Sequence, residues 1–133
     1  MKAILPYVWV GLGGFLGANA RFLVGRASAA IFGLTFPFGT LIINLTGSFL
    51  LGLFATLATH RWATFAQEIR FIVSIGFIGA YTTFSTFEYE SHSLFQDGKW
   101  LTATIYIVAS IVVGLLAVRL GILLADKLAP NPS

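Results

Sequence analysis

The sequence predicts an all-α integral membrane protein of four transmembrane helices, with a break inside the third. Three observations carry that fold class. Of 133 residues, 57% are hydrophobic and only 10% charged, with a mean hydropathy of +0.88; a soluble domain carries about a quarter charged residues. Uncharged runs of the length a bilayer demands, about 17–25 residues, fall at Ala3–Ala20, Ala27–His60, Phe71–Phe87 and Trp100–Val118. The third run is interrupted by "GAYTTFSTFEYE" at 79–90, whose crowded hydroxyls make a poor helix interior.

The first helix is expected over about 4–33, long or broken. It reads as a span and not as a cleavable signal peptide, because no Ala-x-Ala-like site follows it and further apolar spans do. The run Ala27–His60 is too long for one straight span, and Pro37 and Gly39 in "FPFGT" mark its turn. The second helix is therefore expected over about 39–59, the third over about 67–95 and the fourth over about 99–126. Together they form a single transmembrane domain over 1–133, ending in the frayed polar tail "APNPS". Trp9, Trp62 and Trp100 fall near the span ends, as aromatic belts do.

Charge between the spans is sparse. Lys2, Arg61, Arg70 and Lys127 fall on one membrane face, and Arg26 and Lys99 on the other. That bias is weak under the positive-inside rule. Two readings stay open: one loosely specified orientation, or insertion both ways, which would permit an antiparallel dimer. Membrane lipid is an expected partner and nucleic acid is not. No nucleophile–base–orienter set and no phosphate loop is visible, so no enzyme is expected.

Polar residues inside the spans are not scattered. Thr40, Asn44, Ser48 and Gly52 recur every four residues in the second span; Thr102, Tyr106, Ser110 and Gly114 do so in the fourth. Thr82, Thr86 and Glu90 continue the pattern in the third. At 3.6 residues per turn, each set keeps to one slowly drifting face. A lone Ser or Thr usually bonds its own backbone or a neighbouring helix. An amide at mid-bilayer, Asn44, must find a partner or a wet path. Three aligned ridges point to a polar path. Gly13 with Gly17, and Ser48 with Gly52, have the spacing of closely packed helices.

Within TTFSTF, paired Thr82 and Thr83 are good N-cap material. One half-helix is expected to end near Gly79 and a second to start at about Thr83. Such a break leaves carbonyls on one side and N–H groups on the other, an ion site of either sign. Phe84 and Phe87 share a face of the second half. A phenyl ring is positive at its edge, so two ring edges could line an anion path without a fixed charge that would trap the ion.

"GGFLGANARF" at 13–22, "GTLIINLTGSFLLG" at 39–52 and "GFIGAYTTFSTFEYE" at 76–90 resemble the Fluc (CrcB) family of bacterial fluoride channels, over essentially the whole chain. The resemblance implies an antiparallel dual-topology homodimer in the bacterial inner (plasma) membrane, with two fluoride pores. It implies that the edges of Phe84 and Phe87 and the amide of Asn44 face fluoride. Ser85 and Thr86 would be pore hydroxyls, with Tyr106 and Ser110 on a fourth-helix polar track. Arg21 and Glu90 would stand in the vestibule. A structural sodium ion would sit on the dimer axis, held by the main-chain oxygens of Gly79 and Thr82. The alternative is a four-span proton-coupled exporter of cationic drugs, which wants an exchangeable carboxylate in a span; Glu88 and Glu90 are the candidates. Arg26 is expected to snorkel to the interface.

Overall fold

The computed structural model describes residues 3–60 and 66–129, and four of its helical stretches are long and apolar enough to cross a membrane. The chain is a multi-pass membrane protein. Helix α1 (Leu5–Phe32) carries Pro6 in its first turn, where a missing N–H removes no helical bond. It ends at Gly33, whose φ of 75° lets the amide fold back onto the Ala29 carbonyl at 3.0 Å. Pro37 immediately precedes α2 (Phe38–His60), and Phe32, Phe36 and Phe38 stack across the turn. Lys2, Arg61, Trp62 and most of the C-terminal tail lie outside the described residues.

The third span is built in pieces. Helix α3 (Ala66–Ile69) runs into a π-helical segment, Arg70–Ile78, and then into α4 (Gly79–Tyr81). Thr82 and Thr83 are extended, with ψ of 158° and 113°. Helix α5 (Phe84–Gln96) follows, with Thr83 as N-cap: its Oγ1 accepts the Thr86 amide at 3.3 Å. The helix leaves its path two residues later than the expected Gly79 because Thr82 stays bonded to the preceding turn. Its amide and its hydroxyl both donate to the Ile78 carbonyl at 3.0 Å. A tight turn at Gly98, φ 72°, leads into α6 (Trp100–Leu128).

Lipid supplies no hydrophobic drive between helices, so the spans meet through small residues. At Gly13 and Gly17 of α1, a methyl would overlap the main chain of Ile72 and Phe77 in the π-helical segment. Gly76 answers from the other side, against Val10 and Gly13. Gly52 of α2 and Gly121 of α6 repeat the device against Val118 and Phe49. Two backbone-to-backbone seams result, α1 on the π-helical segment and α2 on α6. The groove described next opens beside the second. Outward faces stay apolar, with Phe15, Phe22, Ile31 and Leu115 all exposed.

Candidate functional site

Helix α2 meets the break through consecutive turns of one face. Asn44 forms a two-point pair with the main chain of Thr83. Its Oδ1 accepts the Thr83 amide at 2.9 Å, and its Nδ2 donates to the Thr83 carbonyl at 3.0 Å. An amide carries two N–H donors, so one N–H of Asn44 remains without a partner among the described residues. Gly47 lets the break approach: a Cβ there would strike the Thr82 methyl. Because the Thr83 amide turns to Asn44, the Gly79 carbonyl lacks the donor a continuous helix would give it four residues on. Among the described residues the Thr82 carbonyl meets only the Arg21 guanidinium, at 3.5 Å.

A groove of about 290 Å³ runs beside this contact, lined by Asn44, Ser48, Thr82, Phe84, Phe87 and Ser110 among others. Ser110 Oγ is buried with no hydrogen-bond partner, alone in this among the described residues. A hydroxyl left so is a donor awaiting an acceptor. The Phe84 and Phe87 rings lie 5.9 Å apart, tilted by 39°. Phe84 is 69% exposed. Phe87 leans on Tyr106 at 5.2 Å, and Phe36 meets the far side of Tyr106 edge-on.

A larger cavity of about 730 Å³ opens where α1, α2 and α5 diverge. Arg21, Arg26 and Lys99 line it, with Thr40, Thr86, Glu90 and Asp97. Lys99 is paired with Asp97 at 3.2 Å, both well exposed. The Arg26 guanidinium stands 5.8 Å from the Phe22 ring centroid, beside this cavity. Glu90 accepts from Thr40 Oγ1 at 2.9 Å and from the Tyr106 hydroxyl at 2.7 Å. Three cations, Arg21, Arg26 and Lys99, line the cavity against two carboxylates, Glu90 and Asp97, so it carries a net positive charge that draws in anions. Replacing Tyr106 with phenylalanine removes one donor to a half-buried carboxylate. The expected result is a loss of about 1–3 kcal/mol, read as a lower thermal midpoint of the purified protein.

Residues 8–122 match the family model described as CrcB-like protein, Camphor Resistance (CrcB). The chain belongs to the CrcB family. Three CrcB relatives each carry the name "Fluoride-specific ion channel FluC". One, of Koribacter versatilis, is 52% identical over 74% of this chain and 77% of its own length. Another, of Acidobacterium capsulatum, is 44% identical over 93% of this chain and 98% of its own. A third, of Chloroflexus aurantiacus, is 45% identical over 85% and 89%.

In this CrcB chain the expected site residues divide among three places. Asn44, Phe84, Phe87 and Ser110 line the groove together. Thr86, Arg21 and Glu90 line the larger cavity. Tyr106 is fully buried behind Phe87 and reaches Glu90 from the core. Ser85 is exposed and lines neither space, as is Glu88. Thr83, Thr40 and Gly47 were not singled out as site residues. Thr83 had a sequence signal, its place at the restart of a helix; Thr40 had its place on the α2 ridge. Gly47 had none beyond being small.

Proposed function

We propose that the chain is a passive, fluoride-selective channel, working as an antiparallel dual-topology homodimer with two pores in a bacterial inner membrane. The observation that carries this reading is the buried, unpartnered hydroxyl of Ser110 in a groove it shares with the free N–H of Asn44 and the rings of Phe84 and Phe87. These groups are neutral donors. They replace part of a small anion's hydration without binding it so tightly that it cannot leave. The names of the relatives supply the ion.

The cycle follows from the two spaces. Arg21 and Arg26 concentrate the anion in the larger cavity. In the groove it exchanges water for the Asn44 N–H, the Ser110 hydroxyl and the edges of Phe84 and Phe87. The membrane potential drives it outward with about 2.3 kcal/mol per 100 mV. The reading needs a second copy, since the groove stays open along the exposed Phe84. A weak charge bias between the loops is compatible with both orientations.

The implied sodium ion fits the residues present in part. The Gly79 carbonyl has lost its helical donor and can take a cation, whereas the Thr82 carbonyl faces the Arg21 guanidinium at 3.5 Å, which must swing aside before a cation can bind there. Neutral carbonyls at a helix end suit a monovalent cation, and the described residues hold no cluster of three or more His, Cys, Asp or Glu that would bind a different metal. When bound, the ion would offset the partial negative charge at the end of α4. Drug export is the poorer fit: Glu90 is already engaged by two hydroxyls and stands in an arginine-lined cavity that repels cations.

The test is anion efflux from liposomes holding the purified chain, with a potassium ionophore to carry compensating charge. Fluoride should leave rapidly while chloride is retained. Fluoride held back in vesicles that contain folded protein would overturn the reading.

A further inference from the structure

Helix α2 holds the extended Thr82–Thr83 segment at Thr83 and, just before it, at Tyr81. Asn44 ties Thr83 on the α5 side. On the other side Tyr81, only 6% exposed, ends α4 with its hydroxyl 2.9 Å from Thr46 Oγ1. Thr46 directs its own proton to the Ile42 carbonyl at 2.7 Å. The Ile43 carbonyl lies 3.2 Å from the same hydroxyl, so with its one proton on a main-chain carbonyl Thr46 Oγ1 is free to accept from Tyr81. The Tyr81 ring lies flat on Phe77 of the π-helical segment, with centroids 5.8 Å apart and planes within 12°. Gly47 leaves room for both Tyr81 and Thr82: a Cβ there would sit 3.3 Å from Tyr81 Cδ1. Asn44, Thr46 and Gly47 thus meet Thr83, Tyr81 and Thr82 one for one.

Of the extended pair only Thr82 keeps a bond to the preceding turn, and the Thr83 amide has none, so the direction of the segment also depends on what grips it from α2. We infer that the Tyr81–Thr46 hydrogen bond is a latch that positions the break. With the latch closed, the Gly79 and Thr82 carbonyls hold their direction, and the Thr83 main chain stays in register with Asn44. The free Asn44 N–H then points steadily into the groove. Tyr81 and Thr46 line neither the groove nor the larger cavity. They are positioning residues, and their effect on conduction rests on the channel reading above.

The experiment uses the full chain in lipid nanodiscs and liposomes, with two readouts. Amide hydrogen exchange at Thr83 reports the latch directly, whether or not the chain conducts. Tyr81→Phe keeps the ring on Phe77 and removes only the hydroxyl. Exchange at Thr83 should rise by up to about ten-fold, the range set by the net worth of one hydrogen bond. Exchange along the α2–α6 seam should stay at its original rate. In liposomes the same variant should lose part of its preference for fluoride over chloride, which a purely structural contact would not alter. Thr46→Val should reproduce both changes, and the double variant should be no worse than either single one. Thr46→Ser, which keeps the hydroxyl, should behave as the parent chain. Thr83 exchange unchanged in Tyr81→Phe, or effects of the two substitutions that simply add, would overturn the latch. If Tyr81→Phe fails to fold, Thr46→Val carries the same decision. A parent chain that passes no fluoride would remove the channel reading and leave the exchange result to decide the latch alone.

Discussion

Fluoride efflux through a Phe84→Ile variant should fall steeply while the protein still folds. Phe84 is 69% exposed in the single chain and belongs to no buried cluster. Truncating it therefore removes little folded-state packing. What it removes is a ring edge from the groove. By analogy with the attraction of a desolvated cation to a ring face, that contact is worth about 2 kcal/mol. At 1.36 kcal/mol per decade this is roughly thirty-fold in rate. Phe87→Ile should slow the anion similarly but also lower the thermal midpoint, because Phe87 packs on Tyr106 and so against the buried cluster that Tyr106 forms with Leu94 and Ala103. Flux assays and melting curves on both variants separate the two contributions. Parental flux in a folded Phe84→Ile protein would remove the ring-edge role.

Gly17→Leu should yield no monodisperse protein, and Gly17→Ala a destabilised one. A methyl at Gly17 would overlap the main chain of Phe77. Neither partner is a side chain that can rotate aside, so α1 and the π-helical segment must separate. Overpacking of this kind costs about 1–3 kcal/mol for a methyl and more for a larger group. Gly11→Ala is the control: no atom of the chain lies within 4 Å of the added carbon. Its melting midpoint and size-exclusion profile should match the parent, whereas those of Gly17→Ala should not. Equal behaviour of the two variants would remove the seam from the account of the fold.

The spans were legible because a bilayer demands long uncharged runs, and expectation and structure agree at their ends to within about two residues. The turn at Pro37 was legible because proline is tolerated at the start of a helix but not inside one, and it stands immediately before α2. Thr83 could be placed as a cap from composition alone, yet the point of exit could not. Thr82 stays on the helix through its own hydroxyl, a choice no local pattern dictates. The π-helical segment left no mark either, since an apolar run such as RFIVSIGFI reads the same at either pitch. The partner of Asn44 depended on how closely α2 meets the break, which Gly47 allows at long range in sequence. Ser85 and Thr86 stand side by side in the sequence but 100° apart around α5. The motif groups them; the helix separates them, and only Thr86 reaches a cavity.

The unequal lengths of the spans have a consequence for the surrounding lipid. With a rise of 1.5 Å per residue, the 28 residues of α1 and the 29 of α6 run roughly 42 and 43 Å, and the 23 of α2 roughly 34 Å. A hydrocarbon core is about 30 Å thick, and tilts average about 20°. Helices α1 and α6 therefore overhang into the headgroups, while α2 is close to matched. Each ångström of mismatch costs a fraction of a kcal/mol. A thicker bilayer would draw α1 and α6 upright and leave α2 short. The chain length of the lipid thus becomes a mechanical load on the α2–α6 seam, and through it on the width of the groove.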